Sequence, residues 1–375
     1  MKKIGLYIHI PFCKQKCYYC DFISFENLEK QQEKYINALC MEIHNFFNDK
    51  KKYEISTIYI GGGTPSFIDE KYIKKVLGII PTNKAKEITI EVNPGTVNLE
   101  KLSAYKSIGI NRLSIGLQAS QDRLLKQIGR IHNYEDFLNT YKIAKNVGLN
   151  NINVDLMIGL PNQTIKDIKE TLENVINLEP NHISVYSLIL EEGTKLDNLI
   201  KKGKLQLQDE EIERNMYWYV KDYLELNGYN HYEISNFAKK GYESKHNLDC
   251  WNQEEYIGFG LAAHSYLENI RFSNTSNLNK YIENCSNNQF ENNKTIQEVQ
   301  SGNEKKKEYM LLGLRKIDGV SIQRFKEKFG ENPLFIFRNE LNKLVEERLI
   351  VVEEDNIKLT NKGIDLANIV WEEFV

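Results

Sequence analysis

The sequence has no long hydrophobic run, little cysteine and almost no net charge, and each shortage closes off a class of protein. No apolar stretch approaches the ~20 residues a helix needs to cross a bilayer, so no membrane-spanning segment is expected. Six cysteines in 375 residues are too few for a disulfide framework, the device by which small secreted domains replace a large core. The 49 Lys and Arg against 52 Asp and Glu leave a formal charge of −3. Nucleic-acid binders carry a basic surplus to neutralise phosphate, so no such partner is expected. The opening string MKKIGLYIHIPFC has two lysines, but its apolar stretch is broken by His9 and Pro11 and no small-residue cleavage site follows. A signal peptide is therefore not expected, and the expected compartment is the cytoplasm.

What is present is length, 41% apolar residues and a regular alternation of patterns, enough chain for a large core and two or three domains. Up to about residue 190, six short runs rich in Ile, Val and Tyr occur at 4–8, 55–60, 87–92, 112–115, 152–158 and 182–188, as in buried parallel strands. Helical patterns separate them. Ile36, Leu39, Cys40, Ile43, Phe46 and Phe47 share one helix face, and Thr164 with Asp167 reads as a capping box opening a helix striped by Ile165, Ile168, Leu172 and Val175. Six β–α units in about 190 residues predict an α/β fold, either a doubly wound sheet or an incomplete (β/α)6 TIM-like barrel, because eight units need roughly 250 residues.

The expected domains are this part at 1–205, a mixed α/β segment at 206–303 and a C-terminal unit at 304–375. The middle segment has a helical pattern over 209–227, a crowd of aromatic, His and Gly residues over 228–276, and an Asn-rich stretch over 284–293 that predicts an exposed loop. Helices from 304, over 321–329 and over 334–348, strands over 350–353 and 356–359, and a final helix from 360 predict a winged-helix-like unit. Residues 305–375 hold 13 Lys and Arg and 13 Asp and Glu, a net of zero. That gives no phosphate-neutralising face, so a structural or lid role is expected rather than DNA binding.

The chemistry concentrates in Cys13-Lys-Gln-Lys-Cys17-Tyr-Tyr-Cys20, directly after the first run. Three thiols in one short loop suit a soft metal. A structural zinc site takes four ligands and no fourth Cys or His follows at normal spacing, whereas three cysteines can hold three irons of a four-iron cluster. Cys40 lies on the apolar helix stripe and Cys285 in the predicted loop; neither is a convincing ligand. Each run also ends on a polar or glycine feature: Tyr7, then Gly61-Gly62-Gly63-Thr64-Pro65, Glu91, Gln118, Asp155 and Tyr186. Barrel enzymes gather functional groups at those strand ends, and the six together define one site.

The cysteine spacing, with an aromatic before the last thiol, resembles the radical S-adenosylmethionine (SAM) superfamily. The string from Tyr7 to Cys13 is similar to the branch that holds oxygen-independent coproporphyrinogen III dehydrogenases and HemW-type haem chaperones. The resemblance covers nearly the whole chain. It implies an incomplete (β/α)6 barrel with a [4Fe–4S] cluster on Cys13, Cys17 and Cys20, whose open iron takes the amino and carboxylate groups of SAM. By position it places SAM contacts at Tyr7, Gly62, Gly63, Thr64, Glu91, Gln118, Arg130 and Asp155, with Tyr19 near the adenine. Glu91 would accept from the methionine ammonium or the ribose, and Arg130 would meet the methionine carboxylate. The implied chemistry is reduction of the cluster by one electron and cleavage of SAM to methionine and a 5′-deoxyadenosyl radical.

Within that branch, the dehydrogenases carry a fourth cysteine two positions after the third and a long segment ahead of the motif. Here Cys20 is followed by Asp21 and Phe22, and Tyr7 stands close to Met1. Both favour the chaperones, as does His246-Asn-Leu-Asp-Cys250-Trp251, which is similar to their HNxxYW motif. His246 could ligate haem iron while Trp251 packs on the macrocycle, or it could simply cap a loop. Cys250 replaces the family tyrosine and could itself ligate as a thiolate; His9 and His264 are rival ligands. The expected function is a SAM-binding [4Fe–4S] haem chaperone that passes haem to haem-dependent respiratory proteins, with no residue assigned to catalysis. The alternative is the dehydrogenase itself or another radical SAM tetrapyrrole enzyme.

Overall fold

A computed structural model describes residues 1–49 and 53–375. Six strands form its centre: β1 (Lys2–Ile10), β2 (Tyr53–Gly62), β3 (Glu87–Val92), β4 (Arg112–Gln118), β5 (Asn151–Ile158) and β6 (His182–Ser187). They lie side by side in chain order, each neighbouring pair parallel. Parallel pairing requires crossover connections, and helices supply them, from Glu29–Asp49 after β1 to Ile165–Ile176 after β5. The predicted capping box opens the latter: Thr164 accepts from the Asp167 N–H while the Asp167 carboxylate accepts from the Thr164 N–H.

The strands are apolar on one side only. Alternate residues face opposite ways in a strand, and the helix-covered face is apolar, with Leu6, Ile8, Ile60, Ile90, Ile115 and Val154 inaccessible. The other face carries Tyr7, Tyr59, Glu91, Ser114, Asp155 and Tyr186. A fold that filled this second face with Val and Ile would have no room for a polar ligand.

β1 and β6 do not pair with each other. At the β6 edge the sheet adds a hairpin of β7 (Asn230–Glu233) and β8 (Asn236–Ala238). At the β1 edge it adds β9 (Tyr256–Phe259) in parallel, then antiparallel β10 (His264–Leu267), β11 (Ile270–Asn274) and β12 (Lys294–Val299), twelve strands in all among the described residues. The crowded stretch over 228–276 thus supplies five of the six added strands. The predicted exposed loop over 284–293 holds at 286–289, 291 and 292, which are exposed, and fails at its two ends. A helix, Leu278–Ser286, runs into it with Tyr281 and Cys285 fully buried. Asn284 and Asn293 are buried too, because their side chains bond each other at 2.8 Å instead of solvent. Glu42 of the first crossover helix ties this layer down: its buried carboxylate accepts from Gly260 N (2.8 Å), Asn274 Nδ2 (2.7 Å) and Tyr281 Oη (2.6 Å).

The C-terminal unit has its own core, in which Met310, Leu314, Phe325, Leu344, Ile357 and Val370 are inaccessible. Its helices begin with Gly302–Gly313, and its sheet is antiparallel, β13 (Val320–Ser321), β15 (Asn356–Leu359) and β14 (Ile350–Glu353) in spatial order. The unit meets the large sheet near both of its edges. Glu308 pairs with Arg271 of β11 at 2.6 Å, and the Arg315 carbonyl accepts from Ile234 N just beyond β7 at 3.1 Å. Among the described residues no helix is long and apolar enough to cross a membrane.

Candidate cofactor site

The cysteine loop leaves the C-terminal end of β1 and is pinned by backbone bonds on several sides. Cys13 N–H donates to Phe25 O (2.9 Å), Tyr18 N–H to Ile128 O (2.9 Å), and Tyr18 O accepts from Leu196 N–H (2.7 Å). Gly63 and Thr64, after β2, press against the loop from beneath through N–H bonds to Ile10 O (2.9 Å) and Phe12 O (2.8 Å). A Cβ on Gly63 would lie 2.9 Å from Phe12 O and 3.0 Å from Cys13 Sγ, so only glycine allows this approach. Gly62 holds a left-handed φ of +112°, and a Cβ there would stand 2.5 Å from the His9 ring. Beside Cys17 and Cys20 opens a cavity of about 620 Å³, lined also by Glu192, Gly193, Thr194 and Lys195.

The thiols are held by donors. Thr64 Oγ1 donates to Cys13 Sγ (3.5 Å) and Arg130 Nη1 to Cys17 Sγ (3.4 Å). Burial, with the charge of Cys17 second, pushes Cys20 up to about 11, and burial likewise raises Cys13. Sulfurs so enclosed ionise readily only when a cation takes the charge. Among the described residues no three His, Cys, Asp or Glu converge on one metal-ion position. The donor set, soft sulfurs on one loop each with its own surroundings, suits a multi-iron cluster.

Arg130 crosses from the following loop into the same place. Its Nη2 donates to Gly116 O (2.6 Å) and Asn93 Oδ1 (2.9 Å), while its Nε is buried without any partner. A guanidinium with one buried donor unmet is a place for an incoming anion. Tyr19 packs on the small apolar cluster around Leu124 and Leu160, and burial with the nearby Cys17 raises its hydroxyl pKa.

Further along the polar face, Glu91 accepts from Tyr59 Oη (3.0 Å) and Gly62 N (3.2 Å). Burial, then the charge of Asp155, pushes Glu91 up to about 7. Asp155 accepts from Ser114 Oγ (3.0 Å) and Asn153 Nδ2 (2.7 Å), and burial raises it as well. Gln118, at the end of β4, adopts φ +73° beside a register shift. A non-glycine residue in that region costs about 1 kcal/mol and marks a site whose surroundings over-determine it. Tyr7 donates to His9 Nδ1 (3.0 Å), because His9 Nε2 is committed as donor to Ile23 O (2.8 Å). His9 therefore has neither nitrogen free, which corrects its reading as a rival haem ligand. Sequence reasoning missed Tyr59, Ser114 and Asn153; polar residues at every second strand position were the available signal.

The radical SAM superfamily matches residues 7–175 and the HemN C-terminal domain residues 300–366. The heme chaperone HemW of Bacillus subtilis (strain 168) is 41% identical over 98% of this chain and 98% of its own. That of Lactococcus lactis is 36% identical over 100% of this chain and 98% of its own. The chain belongs to the HemW family of radical SAM proteins. Its fold is that of coproporphyrinogen III oxidase (HemN) from Escherichia coli, a radical SAM enzyme, with a TM-score of 0.86 at 22% identity over 100% of this chain and 90% of that one.

For a HemW family member the placement of His246-Asn-Leu-Asp-Cys250-Trp251 matters most. The motif forms the helix Lys245–Trp251, capped by Ser244. The N–H groups of Lys245 and His246 donate to Glu87 at the start of β3, each at 3.1 Å. His246 Nδ1 bonds Thr57 Oγ1 (2.9 Å) and the ring lies 5.4 Å from that of Tyr59. The helix thus covers the N-terminal end of the polar face, while the cysteine loop rises from the C-terminal end of β1. Structure does not bring the two motifs together. Burial, then Arg112, lowers His246 to about 4, and burial, then Asp249, pushes Cys250 up to about 12. Burial thus favours the protonated thiol at Cys250. Trp251 faces the C-terminal unit, and His264 is exposed at the start of β10.

Proposed function

We propose that the chain is a SAM-binding, iron–sulfur haem chaperone that holds haem and passes it to haem-dependent proteins, respiratory enzymes among them, in the cytoplasm. Kinship along the full length with proteins named heme chaperone HemW carries the reading. The absence of a fourth cysteine supports it, since Asp21 and Phe22 follow Cys20 and Phe22 is 62% exposed.

In this reading Cys13, Cys17 and Cys20 hold a [4Fe–4S] cluster with one iron open. Tyr7, Tyr19, Gly62, Gly63, Thr64, Glu91, Gln118, Arg130 and Asp155 surround SAM. The free Nε of Arg130 suits the methionine carboxylate, and the Glu91 carboxylate suits the ammonium. Cluster and SAM, when bound, supply one-electron reductive chemistry; the chain's own residues orient SAM and shield it. His246 and Trp251 belong to the haem-handling segment at 206–303, between an incomplete (β/α)6 barrel at 1–205 and a winged-helix-like lid at 304–375. The lid's zero net charge supports a structural role and no nucleic-acid partner.

Reconstituted protein titrated with haem is expected to bind it stoichiometrically and, given SAM and reductant without oxygen, to leave coproporphyrinogen III unchanged. Substantial product would favour the second reading, a dehydrogenase, to which the fold is also suited.

A further inference from the structure

Arg315 follows the helix that opens the C-terminal unit and is stitched to the sheet through its backbone. Its guanidinium stacks over two indole rings, 4.5 Å from the centre of Trp251 and 4.8 Å from that of Trp371. Stacking of this kind uses the faces of the planar cation and leaves its edge, with the N–H donors, for another partner. Among the described residues no acceptor meets those donors, and Nε is buried outright. The titratable groups that bear on Arg315 are the Glu233 carboxylate and the Tyr186 phenol, which burial keeps protonated. Glu233 does not close an ion pair with it: one carboxylate oxygen is taken by Ser235 N (3.1 Å) and by Asn236, and the other is buried without a partner. Tyr186 ends β6 on the polar face and is 41% exposed.

Arg315 is half-buried, and a guanidinium Nε shut off from water without a partner is costly. Such local inconsistency marks a functional position when a ligand can resolve it. The ligand that fits is one with a flat conjugated body, to lie among Trp and Tyr rings, and a carboxylate at its edge, to take the fork of donors. Haem has both.

We propose that Arg315 recognises a propionate carboxylate of the haem carried by this chain, and that Trp251 and Trp371 hold its guanidinium edge-on for that contact. The proposal rests on the haem-chaperone reading and deepens it. Trp251 then acts through Arg315, and the indole of the HNxxYW-like motif is a positioning residue.

The test is a titration with two probes, haem and haem dimethyl ester, in which the carboxylates are capped. Wild-type protein is expected to prefer haem by about tenfold or more. Arg315→Gln should bring the two affinities together while leaving that for the ester unchanged, and Arg315→Lys should restore part of the preference. Wild-type protein that binds both probes equally, or an Arg315→Gln protein that keeps the full preference, would overturn the proposal and leave haem binding intact. Wild-type protein that binds neither probe overturns the haem reading and this one with it.

Discussion

Glu91 sets a sharp pH dependence on the proposed SAM contact. Its carboxyl is pushed up to about 7 from 4.5, by burial first and by Asp155 second. The charged form, which would accept from the SAM ammonium, therefore appears on the alkaline side of 7. A group with that pKa is about one-tenth ionised at pH 6 and about nine-tenths at pH 8. If binding needs the carboxylate, the SAM dissociation constant should be about tenfold weaker at pH 6 than at pH 8. Equilibrium dialysis of reconstituted protein with labelled SAM across that range reads it directly. Glu91→Gln should bind more weakly and lose the slope, and Asp155→Asn, which removes the second cause, should move the midpoint to lower pH. A Glu91→Gln protein that retains the wild-type slope would refute the reasoning. The same shift acts on folding. The folded state holds the Glu91 proton more tightly than the unfolded chain does, so its contribution is fully present below about pH 4.5 and lost as pH rises through 7. The difference is about 3 kcal/mol, and ligand binding at alkaline pH would offset it by mass action.

Four further outcomes follow from particular contacts. Glu42→Ala strands three buried donors, from Gly260, Asn274 and Tyr281, and should cost about 3–5 kcal/mol in urea unfolding; an unchanged midpoint would contradict the anchoring role. Gly63→Ala drives a methyl to 2.9 Å from Phe12 O and 3.0 Å from Cys13 Sγ, so iron and sulfide per chain should fall after reconstitution while the circular dichroism spectrum stays native. Burial favours the protonated Cys250 thiol, a poorer ligand than a thiolate, so Cys250→Ala should leave haem stoichiometry unchanged; loss of haem would show that iron displaces the proton there, as at a buried metal-binding cysteine. Thr57→Val removes the bond that holds the His246 ring by Nδ1, so haem affinity should drop about tenfold or more if His246 ligates, and an unaltered Soret spectrum would make the ring a structural plug.

The parallel core was legible because its signals are local. Ile- and Val-rich runs, a capping box at Thr164 and an amphipathic first helix each read from a few neighbouring residues, and each stands where expected. The antiparallel strands at both edges were not legible. β10 and β11 are only four and five residues long and carry His, Ser, Arg and Asn among their apolar positions. What makes them strands is pairing to an existing edge and the distant Glu42 carboxylate, which bonds Asn274 across 232 residues of chain. The two ends of the Asn-rich stretch were misread for a related reason: the amide side chains of Asn284 and Asn293, which read as solvent-loving, satisfy each other when buried.

The two motifs show the same division at the level of chemistry. Cys13, Cys17 and Cys20 could be read as a ligand set because their spacing alone places them on one loop, and the loop's donors, Thr64 and Arg130, refine that reading without changing it. His246 could not be read so, because an imidazole's role is set by what its two nitrogens meet. Its partner Thr57 lies 189 residues away in sequence. That bond occupies Nδ1 and leaves Nε2 as the nitrogen with which the ring could bind iron, while burial and Arg112 keep the ring neutral by lowering it to about 4. Metal-binding histidines are commonly fixed by a bond to the second nitrogen in this way. The contact that makes His246 look like a structural plug is therefore the contact a haem ligand would also need. The two roles part only at Nε2, in whether that nitrogen meets iron.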